Sequence, residues 1–377
     1  MSEVTQRKKP AAKEIDDLCC GDAGMLAPET TLDWSARPNS ERKDRVLPAE
    51  VVSRLSAKSD WKGLRQLGIH LVVTALGAVA TWACLHGGVL GYLALPVVVT
   101  WQGFVLCSLG FAGQHECVHF TAFRSRWLNR TVGFWASVPS FTFAEHELLL
   151  HKDHHTFTGD PKRDTELLEM GDQVLKPGFR KIPDSPHAYW WSFVETVLGK
   201  PSNKMLKLIN CARGIPVDYT GTGWNIPRDV NSGVPSIKSR LQKWGQIQLA
   251  FYAVVVPLWL RYFGFWTMIW YWLLPVFVGP APLWYLQIAE HADCTLDSNG
   301  LTNTRSVTSS WLVRLVYWNM NLHAEHHLYP TFPFHALPEA HELLRGHLKK
   351  VHSTYPQLNT DVLHKFIPAQ MAGLPVA

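Results

Sequence analysis

The sequence lacks the cysteine spacing, the strong net charge and the N-terminal apolar segment that identify several common classes of protein. Its seven cysteines are an odd number and include no C-x-x-C pair, so we expect no disulfide framework and interpret them as reduced thiols facing the cytosol. A formal net charge of +5 over 377 residues is weak support for nucleic-acid binding. The first 60 residues are rich in charge and contain no long apolar run, so no cleavable signal peptide is expected.

Tryptophan and long apolar runs, in contrast, are abundant. The chain has 17 tryptophans and 12% aromatic residues, and such rings concentrate at membrane interfaces. Residues 67–85 and 89–112 have no formal charge at neutral pH, and a membrane-spanning helix needs about 20 apolar residues. A second apolar block, residues 249–286, divides at Arg261 into two further spans, the first of them short. The sequence therefore predicts an all-α integral membrane protein with four transmembrane helices in two hairpins.

The distribution of Lys and Arg predicts the orientation of these spans. Both residue types are dense before the first span and throughout residues 124–243, absent from the turn at 86–88, and represented only by Arg261 in the second turn. The positive-inside rule then places both termini and the middle segment in the cytoplasm. Within that segment, residues 127–143 contain Arg130 and are interpreted as an interfacial helix rather than a span.

Histidines form three spaced clusters, with one further histidine at the end of the fourth predicted span. Residues 115–119 read HECVH, residues 151–155 read HKDHH, residues 323–327 read HAEHH, and the single residue is His291. H-E-x-x-H on a helix places two imidazoles on one face with a glutamate beside them, as in many zinc proteases, but one such pair is equally well explained by chance or by a structural role. Two H-x-x-H-H boxes in addition are hard to explain as solvated surface, so the clusters predict metal binding.

The predicted topology brings all of these histidines to the cytoplasmic side. No span separates the first cluster from the second, two spans separate the second from His291, and none separates His291 from the third. Nine imidazoles exceed the four ligands of a zinc ion and would supply four or five to each of two metals. Imidazole suits Zn, Cu, Fe and Ni, and an all-histidine dinuclear site facing lipid suits oxygen activation by iron better than hydrolysis.

These residues resemble the membrane fatty acid desaturase superfamily, which includes hydroxylases and carotenoid ketolases. The resemblance rests on HECVH, HKDHH and HAEHH in that order, on the two hairpins and the late His291, and on the flank NMNLHAEHHLYPTFPFHALPEAH. It implies a four-span fold whose cytoplasmic helical cap holds a diiron site. The expected location is a multi-pass position in a membrane, here the bacterial inner membrane, with the active site in the cytoplasm.

The resemblance divides the chain into three parts. The first is a cytosolic leader (1–62), disordered to about residue 45 and then containing a short helix that ends near Arg65. The second is the membrane desaturase domain (63–345), and the third is a cytosolic tail (346–377).

The resemblance also implies ligands, cofactors and reaction. No catalytic residue is assigned beyond the metal ligands, which are nine histidines: His115, His119, His151, His154, His155, His291, His323, His326 and His327. The cofactors are two Fe ions with O2 as co-substrate, and a lipid or fatty acyl chain loses two hydrogens to give an alkene. Two electrons come from a separate donor of the ferredoxin, rubredoxin or cytochrome type, because the chain has no fused cytochrome b5 signature (HPGG).

Other polar residues near the boxes are expected to support the ligands. The resemblance assigns the amide of Gln287, one turn before His291, to hold a metal-bound water. A ligating histidine usually donates its other N–H to a carboxylate or carbonyl, and the candidate carboxylates are Glu116, Glu147, Asp153, Asp160, Asp164, Glu290, Asp293 and Glu325. The remaining nine histidines are interpreted as surface, helix-end or supporting residues: His70, His86, His146, His187, His335, His341, His347, His352 and His364. Among them, His146 is the one closest to a box and the strongest candidate for a supporting role.

Three alternative functions and the identity of the acyl carrier stay open. A hydroxylase, a carotenoid-type ketolase or an oxidative fatty acid decarboxylase would use the same irons. The acyl carrier is also open, because HECVH has three residues between its histidines where acyl-CoA desaturases have four. An intramembrane zinc protease would use His115, Glu116 and His119, and a non-catalytic metal or haem carrier would hold metal without consuming O2.

Overall fold

The computed structural model of the chain describes residues 46–159, 164, 166, 194, 204–214, 235–292, 294–295 and 299–361. The disorder predicted up to residue 45 lies outside these residues. The boundaries predicted for the leader, the membrane domain and the tail stay predictions.

The described chain is mostly helical. The helices that position the histidines and their surroundings are α1 (Ala49–Leu55), α2 (Asp60–His86), α3 (Gly88–Val118), α4 (Arg126–Ser137), α5 (Ala144–Phe157), α6 (Pro235–Tyr262), α7 (Phe265–His291), α8 (Trp311–Val316), α9 (His323–Leu328) and α10 (Leu337–Leu344). Two short parallel strands, β1 (Ser306–Val307) and β2 (Val351–His352), pair near the third histidine box. The predicted short helix ending near Arg65 is wrong. Helix α1 ends at Leu55, and Ser59 caps a new helix by accepting a hydrogen bond from the Lys62 N–H at 3.3 Å.

Three of the described helices are long and apolar enough to cross a membrane, namely α2, α3 and α7. Helix α6, which covers the third predicted span, has 28 residues and a length of about 42 Å at 1.5 Å per residue. It is not among the three, because polar residues in its first half lower its mean hydropathy. The structure therefore supports a helical membrane protein with three clear spans.

Two tight turns join four long helices into two antiparallel pairs, α2 with α3 and α6 with α7. Helices α2 and α3 join at Gly87, and Gly88 has a φ of +63°, a backbone conformation that favours glycine. Helices α6 and α7 join at Gly264, whose φ is +82°. The outward faces carry exposed aliphatic side chains such as Leu76 and Val79, which lipid would cover.

Helices α3 and α7 touch through their backbones. A Cβ atom on Gly103 would lie 1.9 Å from the Pro275 carbonyl oxygen, and one on Gly279 would lie 2.1 Å from the Gly103 carbonyl carbon. Small residues permit this approach between helices in a membrane. Since the contact involves backbone on both sides, neither helix can yield without moving the end that carries its histidines.

Both of these helices contain a π-helical segment before their histidines. The segments are Leu109–Gly113 in α3 and Ile269–Leu273 in α7. A π-helical turn contains an extra residue and rotates everything that follows, and such turns are frequent at functional sites. In α3, the Thr142 hydroxyl donates to the Gly110 carbonyl at 3.2 Å, so the widened turn is tied to the segment before α5.

Residues 299–361, which include α8, α9 and α10, pack on the histidine ends of α3 and α7 and are called the cap. Its core packs Tyr317, Trp318 and Met320, all fully buried, against α3. Arg305 is buried and donates from its guanidinium to the Ala289 and Ala292 carbonyls at the end of α7, where a cation also complements the helix dipole. Part of the predicted interfacial segment forms α4, whose 12 residues are too few to span a bilayer. Its position at the membrane interface stays a prediction.

The Gly103–Gly279 contact predicts an asymmetric response to added methyl groups. Gly103→Ala should lower the free energy of unfolding by about 1–3 kcal/mol, because the new Cβ overlaps the backbone of α7. Gly68→Ala, in the same bundle but with no atom within 4 Å of the new Cβ, should be neutral or stabilise by up to about 1 kcal/mol. Thermal unfolding in detergent measures both, and equal melting temperatures for the two variants would contradict the packing described here.

Candidate metal centre

The three histidine boxes lie on helices that end at one place. His115 is in the last turn of α3 and His119 follows directly after it. Helix α5 carries the second box, His291 is the last residue of α7, and α9 consists almost entirely of the third box. Helical spacing explains the patterns, because residues three and four apart share a helix face.

The nine histidines form two groups, each with its ligand nitrogens within 4.8 Å of one another. One group has five members, His115, His119, His151, His155 and His326, and the other has four, His154, His291, His323 and His327. Helix α5 gives two histidines to the five-histidine group and one to the four-histidine group. Helix α9 gives one histidine to the five-histidine group and two to the four-histidine group. Each of these two boxes is therefore shared between the groups.

Nε2 atoms converge in both groups, from within one helix and from different helices; His151 Nε2 and His155 Nε2, both on α5, lie 2.8 Å apart. In the five-histidine group, His326 Nε2 lies 2.8 Å from His115 Nε2 and 3.0 Å from His155 Nε2. In the four-histidine group, His323 Nε2 lies 3.1 Å from both His291 Nε2 and His327 Nε2. One nitrogen that meets two others cannot satisfy both with a single proton. A cation between the converging lone pairs removes the conflict, so the residues fit a bound metal in each group.

Burial favours the neutral form of several of these imidazoles, which is the form that binds metal. Burial lowers the pKa of His119 to about 3, with His154 and Lys58 contributing further. Burial, and after it the neighbouring imidazoles, holds the pKa of His151, His155 and His326 well below its ordinary value. At neutral pH these four histidines offer lone pairs rather than positive charges.

The opposite nitrogens of three ligands have partners that orient the rings. His154 Nδ1 lies 2.8 Å from Asp164 Oδ1, His291 Nδ1 lies 3.2 Å from the Asn303 carbonyl oxygen, and His327 Nδ1 lies 3.2 Å from the Thr158 hydroxyl. Such partners fix which nitrogen faces the metal. Asp164 was expected among the carboxylates. Thr158 and Asn303 were missed, and the only sequence signal was that Thr158 stands four residues after His154.

Other expected carboxylates have different contacts. Glu116 Oε2 accepts hydrogen bonds from the Thr121 hydroxyl at 2.7 Å and the Phe334 N–H at 3.0 Å. Glu325 is bound by the Ser306 hydroxyl and by His341 Nδ1. These two residues tie the boxes to the cap, and the structure shows neither of them on the nine histidines.

Two glutamates do approach the cluster. Glu290, which was among the candidate carboxylates, has Oε2 3.7 Å from His323 Nε2. Glu166, which sequence reasoning missed, has Oε1 3.5 Å from His154 Nε2 and 3.8 Å from His151 Nδ1. Asp160, Asp293 and the side chain of Asp153 lie outside the described residues.

The remaining histidines include three that are buried. His146 lies 3.6 Å from Glu147 and belongs to neither group. His70 lies inside α2, where its Nε2 is 2.9 Å from the Val105 carbonyl oxygen and its Nδ1 accepts from the Trp318 N–H at 3.2 Å. The third is His341. Gln287 lies one turn before His291 in α7, and its role stays a prediction.

Comparison with known proteins agrees with this geometry. The profile of the fatty acid desaturase family matches residues 90–359. An sn-1 oleoyl-lipid 12-desaturase from Synechocystis sp. is 24% identical over 346 residues, covering 85% of this chain and 86% of the relative.

Two further relatives are similar over shorter lengths. A sphingolipid delta(4)-desaturase DES1-like protein from Arabidopsis thaliana is 28% identical over 142 residues, 36% of this chain and 40% of that protein. The fatty acid conjugase FAC2 A from Calendula officinalis is 31% identical over 96 residues, 23% and 25% of the two chains. The profile covers well over half of the chain, so this membrane protein belongs to the fatty acid desaturase family and is an oxidoreductase.

Proposed function

We propose that this protein introduces a double bond into a lipid-linked fatty acyl chain, with O2 as oxidant and two irons held by the nine histidines. The observation that carries the proposal is the convergence of nine imidazoles in two groups at the ends of the apolar helices α3 and α7, in a chain of this family. The lipid-linked substrate is inferred from the printed names of the oleoyl-lipid 12-desaturases among the relatives.

The residues of the chain have separable tasks in this proposal. The five-histidine group would hold one iron and the four-histidine group the other. When bound, the irons supply the activation of O2, with electrons from a separate donor of the ferredoxin, rubredoxin or cytochrome type. Asp164, Thr158 and the Asn303 carbonyl orient the imidazoles, while the buried cap excludes water from the reacting carbon.

The positions of aromatic side chains support a four-span topology in which α6 crosses the membrane beside α7. Tyr262, Phe263 and Trp266 are exposed at the α6–α7 turn, at the opposite end of α7 from His291. Trp61 and Trp127 are exposed where α2 and α4 begin. Trp and Tyr prefer the two membrane interfaces. The Lys- and Arg-rich segments then assign the cap and both termini to the cytoplasm.

The zinc protease alternative requires Glu116 to face a metal held by His115 and His119. The Glu116 carboxylate instead binds Thr121 and the Phe334 N–H, and the two histidines join three others from α5 and α9. A hydroxylase, ketolase or decarboxylase of the same family would use the same groups, and the product distinguishes these reactions from desaturation.

Metal content tests the two groups directly. Purified protein should hold about two irons per chain, since nine donors supply four or five to each ion. His151→Ala/His326→Ala, which removes two members of the five-histidine group, should bind about one iron or less. The exposed His347→Ala is the matched control and should keep both. About one zinc that survives the double change would show instead that HECVH holds the metal.

Two single variants separate the desaturase from the protease. His326→Ala should abolish product formation. Glu116→Gln should lower the rate by less than about tenfold, because an amide oxygen can still accept from Thr121 and the Phe334 N–H. The rate of lipid oxidation in membranes, normalised to the amount of protein, measures both. Abolished activity in Glu116→Gln together with a mild effect of His326→Ala would favour the protease.

Product analysis tests the reaction itself. Expression in a host whose lipids contain oleoyl chains should give acyl chains that have lost two hydrogens, detected by mass spectrometry of intact lipids and absent with His326→Ala. Chains that gain an oxygen atom would identify a hydroxylase or ketolase, and shortened hydrocarbons would identify a decarboxylase.

A further inference from the structure

The two histidine groups differ in the number of imidazoles and in the charged side chains around them. Five imidazoles converge in one group and four in the other. Neutral imidazoles do not compensate a divalent ion, and burying an uncompensated charge is costly. The buried carboxylates that contact the cluster, Asp164 and Glu290, both lie against members of the four-histidine group, His154 and His323.

The Glu290 carboxylate lies next to the four-histidine group. Its Oε2 atom lies 3.7 Å from His323 Nε2, a nitrogen that faces the group's centre. Donors that bind one ion at about 2.1 Å are about 3.0 Å apart at right angles and about 4.2 Å apart when opposite. The separation falls between these limits. Asp164, in contrast, contacts the outward Nδ1 of His154.

The rest of Glu290 is held in place from two directions. The Tyr317 hydroxyl donates to Oε1 at 2.6 Å, while Oε2 faces His323. The Arg305 backbone N–H donates to the Glu290 carbonyl at 2.8 Å, next to the guanidinium that caps α7. Tyr317 is itself fixed, because it is fully buried and stacks on Phe111 with ring centroids 5.8 Å apart.

We propose that Glu290 is the fifth protein ligand of the four-histidine group. Building on the proposed diiron function, one metal then has five imidazoles, and the other has four imidazoles and a carboxylate oriented by Tyr317. The two ions become chemically different, with the negative charge concentrated on one of them.

Glu166 and Gln287 are the alternative sources of a fifth donor. Glu166 Oε1 lies 3.5 Å from His154 Nε2, but more than a third of its side chain is exposed. Glu290 is 7% exposed, so its carboxylate has the stronger electrostatic reason to face a cation. Gln287 precedes His291 by one turn on α7 and offers a neutral amide in place of an anion.

Mössbauer spectroscopy of protein loaded with iron-57 tests the assignment without relying on turnover. The wild type should give two distinct ferrous doublets of equal area, and His323→Ala against His326→Ala identifies which doublet belongs to which group. Glu290→Gln should change the four-histidine doublet, or weaken iron binding there by about 10- to 100-fold, and leave the other doublet unchanged. Glu166→Gln and Gln287→Ala test the two alternative donors, and the exposed His347→Ala is the matched control that should leave both doublets unchanged.

Further variants keep the test decisive. If Glu290→Gln fails to fold, Glu290→Asp keeps the charge but shortens the side chain, and it should retain both irons with an altered four-histidine doublet. Tyr317→Phe should alter the same doublet more weakly. Two irons with unchanged doublets in the Glu290 variants, or a change confined to the Glu166 or Gln287 variant, would overturn the inference. Absence of iron from the wild type would instead overturn the proposed function.

Discussion

Nine imidazole nitrogens meet in a buried space, and the rest of the structure depends on that contact. Lone pairs that face one another away from water are costly unless a cation lies between them. The Nε2 atom of His326 lies close to imidazole nitrogens from both α3 and α5, and that of His323 lies close to one from α7. Four helices that are distant in sequence must therefore end at one place, within the few tenths of an ångström that metal binding allows.

The membrane helices meet this requirement through their backbones. Gly103 and Gly279 fix α3 against α7 inside the bilayer, while the π-helical segments change the direction of the residues that follow them. Arg305 then closes the end of α7 at the last turn before His291. A shift in any of these contacts moves a whole helix end, so the small residues in the spans support the metal groups as directly as the hydrogen bonds around the histidines.

The H-E-x-x-H motif shows how far a local pattern can be followed. On a helix, its two histidines do share a face, and both join the five-histidine group. Its glutamate, however, is occupied by Thr121 and the Phe334 N–H and connects the first box to the segment after the third. Glu325 behaves in the same way inside HAEHH, where it binds Ser306 and His341. A carboxylate between two ligands thus contributes to the site by holding helices together.

From the sequence alone, the spaced histidine boxes identified the family by resemblance and named the nine histidines, and apolar length predicted the spans that end near His115 and His291. Motif spacing and apolar length are local properties of the chain, so both can be recognised without its fold. Sequence reasoning placed the end of the first short helix near Arg65 instead of Leu55, and it counted α6 as a span in the same way as the more apolar helices. Only the tertiary structure decided that the histidines divide five and four, since neighbours such as His154 and His155 point to different groups from one helix. It also decided which carboxylates reach a histidine of the cluster: Asp164, Glu166 and Glu290 do, while Glu116 and Glu325 bind elsewhere. Side-chain direction at a helix end depends on the partners that pack against it, and those partners come from distant parts of the chain.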